Sequence, residues 1–299
     1  MLHENNKFIL VGLGEILWDI LPTGRQLGGA PANFAYHCQA LGSKGVVVSC
    51  VGNDELGNEI LNQLRQLGLE HKYIAIDTEH PTGTVTVELD ENGKPDYIIH
   101  QNVAWDFIPQ TRQLLELAQS IDAVCFGSLC QRSEVSRNTV REFLRATKPE
   151  CLRVFDINIR QSFYSRHIIQ DMLELSNVLK LNDEELPLLA DMLDIKGSET
   201  DILERLWDCC ELNLIALTKG SRGSRLYTPT SDSSHAGFPA DIADTVGAGD
   251  SFTAAITLGL LRGDELDKIN ERANRLAGFV CSQKGATPKL PHSLKKELC

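Results

Sequence analysis

Asp244-Thr245-Val246-Gly247-Ala248-Gly249-Asp250 runs directly into the helical pattern Ser251-Phe252-Thr253-Ala254-Ala255-Ile256. A glycine-rich turn that opens a helix lets backbone N–H groups converge on an anion at the positive end of the helix dipole. Asp250, in the first turn, would stand beside that anion. An anion hole next to a carboxylate suits deprotonation of a hydroxyl while a transferring phosphoryl group is stabilised. Ordinary helix starts also carry acidic residues. They do not need two glycines flanking an alanine between two carboxylates.

Outward from this stretch, apolar strand-like runs alternate with helical patterns. Phe8-Ile9-Leu10-Val11-Gly12, Val46 to Val51, Ala123 to Phe126, Leu152 to Phe155, Val178 to Leu181 and Leu214 to Leu217 read as buried strands. Pro31 to Leu41 reads as a helix with proline in its first turn and Gly42 at its stop, and Ile60, Leu61, Leu64 and Leu67 mark the stripe of another that Gly68 ends. This alternation predicts an α/β protein with a mostly parallel sheet covered on both faces. One region differs. Thr84-Val85-Thr86-Val87-Glu88-Leu89, a turn at Asn92-Gly93 and Tyr97-Ile98-Ile99-His100 predict an antiparallel hairpin, either a lid over the strand ends or an ordinary edge.

The 299 residues suffice for one large α/β domain or two small ones. A net charge of −12 argues against a general nucleic-acid or anionic-membrane surface, but a local cluster of amides and cations can still take a small anion. The nine cysteines are irregularly spaced and include no C-x-x-C pair, so they read as buried thiols of a reducing compartment rather than zinc ligands. Without a signal-peptide pattern or a membrane-length apolar run, the expected location is cytoplasmic.

A second constellation, Gly28-Gly29-Ala30-Pro31-Ala32-Asn33, precedes the first helix. Its glycines let backbone approach a ligand, and the Asn33 amide suits a sugar hydroxyl. Upstream, Gly14-Glu15-Ile16-Leu17-Trp18-Asp19 reads as the close of the first strand, with Asp19 as a strand-end carboxylate. A dinucleotide fingerprint fails here because Leu17 stands where the third glycine belongs, and no Walker A loop is present.

Together the two motifs resemble those of the ribokinase-like, PfkB-type carbohydrate kinases, in the right order and across nearly the whole chain. The D-T-x-G-A-G-D signature is matched without departure by Asp244 to Asp250. Gly28 to Ala35, Gly14-Glu15-x-Leu17-x-Asp19 and Asp156-Ile157-Asn158-Ile159-Arg160 are most similar to bacterial fructokinases, although 2-keto-3-deoxygluconate kinases and other hexose kinases share much of the pattern. The resemblance implies a single domain over residues 1–299, built as a three-layer α/β/α sandwich with a mostly parallel central sheet. A small β-sheet lid would come from about residues 16–25 and 82–100. It also implies ATP as phosphoryl donor, Mg²⁺, a K⁺ site in many members, a sugar substrate, and a homodimer through the lid.

Residue roles follow from the same resemblance. Asp250 is the base on the acceptor hydroxyl, and Gly247, Ala248 and Gly249 form the anion hole. Asp19, Gly29 and Asn33 hold sugar hydroxyls, and Arg160 faces substrate or phosphate. Asn182 and Glu185 organise Mg²⁺ and its waters, with Lys180 adding charge. Thr218, Gly220 and Gly223 belong to the nucleotide segment, Asn274 and Gly285 to the adenine pocket, and Asp244 to the monovalent-cation site. Several of these residues also fit plainer roles: Arg160 a surface salt bridge, Asn182 a helix cap, and Trp18 and Trp105 either sugar-stacking rings or lid core. Lys219 reads as a solvated loop cation, and His37 and His100 as structural or surface residues. A nucleoside kinase would need an apolar base slot that the sequence does not reveal. A non-catalytic binding protein on the same fold is disfavoured by the intact signature.

Overall fold

The computed structural model describes residues 8–21, 24–89 and 95–298, and the side chains of all of these except 87–89 and 95–96. The chain begins with β1 (Ile9–Leu13), β2 (Leu17–Leu21), β3 (Gly24–Gly28), α1 (Ala30–Ala40), β4 (Lys44–Gly52), α2 (Glu55–Gln66) and β5 (Ile74–Asp77). Next come β6 (Gly83–Leu89), β7 (Pro95–Ile99), α3 (Arg112–Ala118), β8 (Ala123–Phe126), α4 (Glu134–Arg145), β9 (Leu152–Asp156), α5 (Arg166–Leu175) and β10 (Val178–Asn182). It closes with α6 (Glu185–Met192), α7 (Glu199–Cys209), β11 (Leu214–Thr218), β12 (Ser224–Thr228), β13 (Ser231–His235), α8 (Ala248–Arg262), α9 (Leu266–Cys281) and α10 (His292–Leu298).

Nine strands form the main sheet in the order β13-β12-β11-β10-β9-β8-β1-β4-β5. Pairing is parallel from β11 through β5, and β12 and β13 extend one edge antiparallel. Alternate side chains serve opposite layers. Ala123 and Cys125 pack with α1, α8 and α9, while Val124 and Phe126 pack with the α3–α7 layer. Burial on both faces explains the unbroken apolar runs of the inner strands. The polar edge strand Ser231-Asp232-Ser233-Ser234-His235 carries no such signal and was not legible in the sequence.

The order reverses around β1, which lies between β4 and β8. Crevices at such a switch point receive ligands at the carboxyl ends of the strands. Helix α1 lies hard on β1: a Cβ on Gly12 would sit 1.9 Å from the Pro31 carbonyl oxygen. That close approach carries the N-terminus of α1 to the crevice.

The smaller sheet has the order β3-β2-β6-β7. The predicted hairpin is present as the antiparallel pair β6–β7, and β2 joins β6 in parallel. Its turn at Asn92-Gly93 lies outside the described residues. Asp19 sits at the centre of β2, opposite Gln26 in β3, rather than at the end of the first strand. β1 stops at Leu13. At Gly14, φ is 148°, its carbonyl accepts the Ser49 hydroxyl at 2.6 Å, and the chain leaves the main sheet for the lid. Trp18 and Trp105 are lid core: both are buried, Trp18 donates its indole N–H to the Leu56 carbonyl at 3.0 Å, and the Arg132 guanidinium covers Trp105.

The eight described cysteines are free thiols, and five of them are buried as expected. Cys209 is exposed, and Cys210 and Cys281 are half-buried, because they fall at helix ends rather than in strands. No helix among the described residues is long and apolar enough to cross a membrane.

Candidate active site

The carboxyl ends of β8 and β9 meet the first turns of α1 and α8 around a cleft. Ala30, Pro31, Phe34, Phe126, Gly127, Asp156, Asn158 and Asp250 line its floor and walls.

Gly247 caps α8 with φ 79°, and a Cβ there would lie 2.7 Å from Ala286. Only glycine supplies that turn against that neighbour. The following turn leaves the amides of Gly249 and Asp250 without a backbone acceptor among the described residues, as the first turn of a helix must. Of the three amides expected to form an anion hole, that of Ala248 is spent on the Thr245 carbonyl at 3.3 Å, so the unspent donors at the mouth of this helix sit one residue further along, at Gly249 and Asp250.

Asp250 is half-buried and receives the Asn33 amide N–H on Oδ2 at 2.8 Å. Asn33 thus donates to Asp250, and its own Oδ1 is buried with no hydrogen-bond partner. Burial, reinforced by the neighbouring Asp156, pushes the Asp250 carboxyl up to about 6, against the pull of Asn33, Lys180 and Arg160.

Under the anion hole lies Lys180, whose Nζ would be 3.2 Å from a Cβ on Gly249. It donates to Asp156 Oδ1 at 2.9 Å and is 7% exposed. Burial alone would lower its pKa, but Asp156, Glu185 and Asp250 outweigh that and raise it, so the ammonium stays charged. Asp156 Oδ2 lies 3.0 Å from the Thr253 hydroxyl, which also stands 2.9 Å from the Gly249 carbonyl. Asp156 and Thr253 therefore brace Lys180 against the first turn of α8. The sequence reading gave neither a role. Thr253 falls one helical turn after Asp250, and Asp156 closes a strand; those positions were the available signals.

Glu185 accepts the amides of Ile159 and Asn182 at 2.9 and 2.8 Å, and Asn182 Oδ1 accepts the Glu184 and Glu185 amides. Asn182 thus caps the turn that leads into α6, whose N-cap residue itself is Glu184. Burial raises the Glu185 pKa, with Lys180 opposing. Asp19 is pushed up to about 6 by burial, again with Arg160 opposing. Arg160 is exposed and forms no ion pair among the described residues. Its one bond is to its neighbour's carbonyl, Ile159 O at 3.0 Å, so the surface salt bridge is not seen.

The nucleotide segment lies beside these groups. Thr218 closes β11, its hydroxyl donating to the Leu181 carbonyl at 3.3 Å. Gly220 begins a short 3₁₀ turn, and Gly223 packs on the His235 carbonyl. Lys219 is not a free cation, because Glu199 holds its ammonium at 2.7 Å. Asn274 is buried, and its Nδ2 is committed to Ser224 Oγ and Asn270, so any ligand contact falls to its oxygen. Asp244 accepts the Val246 and Gly285 amides at 3.0 and 3.1 Å, tying the signature turn to the loop of Gly285 and Ala286. His37 donates from Nε2 to the Ala286 carbonyl at 2.9 Å; burial pushes it down to about 4, so it is a neutral strut. His100 is exposed and pairs with the Thr86 hydroxyl.

A doubly wound main sheet with a separate four-stranded sheet, and unspent amides at a helix mouth with a carboxylate beside them, have the form of a small-molecule kinase. The chain belongs to the pfkB family of carbohydrate kinases, whose profile matches residues 22–293. It is thus a phosphotransferase acting on a sugar hydroxyl. Fructokinase-2 of Zea mays is 28% identical to it, over 95% of this chain and 91% of that one. A sugar kinase of Pyrococcus horikoshii, solved in complex with ATP, is 26% identical with a TM-score of 0.80, covering 98% of this chain and 100% of its own. The fructokinase of Xylella fastidiosa with bound ATP shares the fold at 20% identity, with a TM-score of 0.83 over 98% of this chain and 97% of that one.

Proposed function

We propose that this chain transfers the γ-phosphoryl of ATP to a primary hydroxyl of a hexose, D-fructose giving fructose 6-phosphate. The observation that carries the reading is the junction at α8: unspent amides of Gly249 and Asp250, the carboxyl of Asp250 beside them and the charged Lys180 beneath. Fructose is favoured by the fructokinase relatives and by the motifs around Glu15, Gly29 and Arg160.

With its pKa at about 6, Asp250 is mostly ionised at neutral pH. Asn33 fixes one oxygen and leaves Oδ1 without a protein partner among the described residues. That oxygen takes the acceptor hydroxyl, orients it first, and receives its proton as the new P–O bond forms. The amides of Gly249 and Asp250, in the turn that Gly247 and Ala248 shape, neutralise the migrating group. Asp19 and the orphaned Asn33 Oδ1 are acceptors for sugar hydroxyls, with Gly29 admitting the sugar close to the backbone.

The residues fit Mg²⁺ as an ion that keeps its waters. Both Glu185 oxygens already serve amides, and no cluster of three metal-ligating side chains occurs among the described residues. Asn182 and Glu185 would hold its hydration shell, and the ion would screen the polyphosphate from Asp250. Asp244, joining two loops beside the signature turn, is assigned the monovalent cation, K⁺. The lid sheet ends in two open edges, β3 and β7, with Tyr97 53% exposed, which favours a homodimer through the lid.

Coupled ADP release tests the reading, over hexoses, sugar acids and nucleosides, with and without K⁺. Fructose should give the highest kcat/KM. Turnover confined to 2-keto-3-deoxygluconate would reassign the substrate, and turnover without any sugar would reject the kinase mechanism.

A further inference from the structure

Glu15 is the second residue past the end of β1, on the span that leads into lid strand β2. Its backbone is pinned under the cap of α1, since a Cβ on Gly29 would lie 2.5 Å from the Glu15 carbonyl oxygen. Its side chain is 2% exposed, and Oε2 has no hydrogen-bond partner. A buried carboxyl with an orphaned oxygen costs stability unless a ligand state repairs it.

Four charged or titratable groups face it. Asp250 comes from α8, Arg160 from the loop after β9, and Arg132 and Cys130 from the 3₁₀ turn at Leu129–Arg132. The Arg132 charge is already answered: Asp106 takes it at 2.8 and 2.9 Å, and Trp105 and Phe163 flank the guanidinium, although one nitrogen, Nη1, stays unpartnered. Asp250 and Cys130 offer Glu15 no positive charge. Arg160 is the cation without an acidic partner, and Glu15, Asp19 and Asp250 all feel its charge.

Both residues adjoin the lid. Glu15 lies on one strand connection to it. Gln161, next to Arg160, donates its side-chain N–H to the Tyr97 carbonyl of β7. Each of the two charges is thus tied to the lid sheet, one through the chain and the other through a neighbouring hydrogen bond.

We propose that Glu15 is a positioning residue: when sugar binds, its carboxylate takes the Arg160 guanidinium and holds it over the substrate, so that lid closure and substrate grip become one event. The proposal rests on the sugar-kinase reading above. In the free protein, burial pushes the Glu15 carboxyl up to about 7, with Asp250 adding to it. The pairing then requires loss of that proton. kcat/KM for sugar should fall below about pH 7, in addition to the limb near 6 from Asp250, because this parameter reports ionisations of the free enzyme.

The test is a double-mutant cycle with Glu15→Gln and Arg160→Gln, read as kcat/KM for sugar, KM for ATP and melting temperature. Each single variant should lose about tenfold or more in kcat/KM for sugar with KM for ATP unchanged, and the double variant should be no worse than Arg160→Gln alone. Glu15→Gln should also lose the limb near pH 7 while keeping the one near 6. It should melt no lower than wild type at pH 8, where the glutamine replaces a strained charge; a merely structural glutamate would lose stability together with activity. Wild-type kcat/KM in Glu15→Gln, additive losses in the cycle, or coupling to Arg132 in a parallel cycle would overturn the assignment. A wild-type protein active on sugar in those cases leaves the kinase reading standing. A wild type that neither turns over nor binds any sugar by calorimetry sinks both.

Discussion

Asp250 gathers most of the chemistry into one carboxyl. Asp250→Asn keeps the shape and the Asn33 contact but removes the proton acceptor, so kcat should fall by about 10²–10⁴-fold with KM for ATP nearly unchanged. In the proposed mechanism the base works as the carboxylate, and burial pushes its pKa up to about 6. Wild-type activity should therefore decline as pH falls through 6, and the residual rate of the asparagine variant should lack that decline in a steady-state pH profile. At this scale the glycine turn and its neighbouring carboxylate were legible as a local pattern. Gly247, Gly249 and Asp250 announce themselves because an anion hole needs glycine at fixed spacing. The partners of those residues were not. Lys180 was named for its charge, but Asp156 and Thr253 were not, and nothing in local spacing says that this ammonium will meet a strand-end carboxylate under a helix mouth. Asp19 was placed on the wrong strand, because Gly14 turns the chain out of the main sheet before β2 begins.

Elements place these side chains, and α8 matters most. Its first turn is held by Gly247 against Ala286, and the Asp244 carboxylate ties the preceding turn to Gly285. Gly247→Ala forces a methyl group toward atoms 2.7 Å away at a positive φ. The amides would swing off the phosphoryl position, and kcat should drop on the order of 10²–10³-fold, as when an oxyanion donor is lost. Circular dichroism should still report a folded α/β protein, which separates this loss from unfolding. Strands and helices with strong periodicity were readable because burial on two faces imposes an apolar code. β13 was not, since a polar edge strand obeys tertiary context rather than propensity.

For the whole molecule, the cleft stores unfavourable charge. Glu15, Asp19 and Asp250 have folded pKa values of about 7, 6 and 6, above their ordinary 4.5, 3.8 and 3.8. Each raised carboxyl favours the fold at low pH, and that contribution is lost as pH rises through its folded value. His37, lowered to about 4, acts in the opposite sense between 4 and 6.5, one group against three. The ligand-free protein should therefore melt about 2–4 °C higher near pH 6 than near pH 7.5 by calorimetry. Light scattering after size exclusion should report twice the 33.1 kDa chain mass if the lid edges pair. A monomer that keeps full activity would confine the lid's role to its own cleft.

Lys180 offers a different kind of handle. Its amine is shut between Asp156 and the turn above it, so reagents that acylate lysines should leave it untouched while modifying the surface amines. Any modification of that nitrogen then records an opening of the sheet's centre rather than a collision at the surface. Followed by mass spectrometry, the rate at which position 180 becomes labelled would serve as a clock for breathing of the phosphoryl-transfer site, and substrates that clamp it should slow the clock.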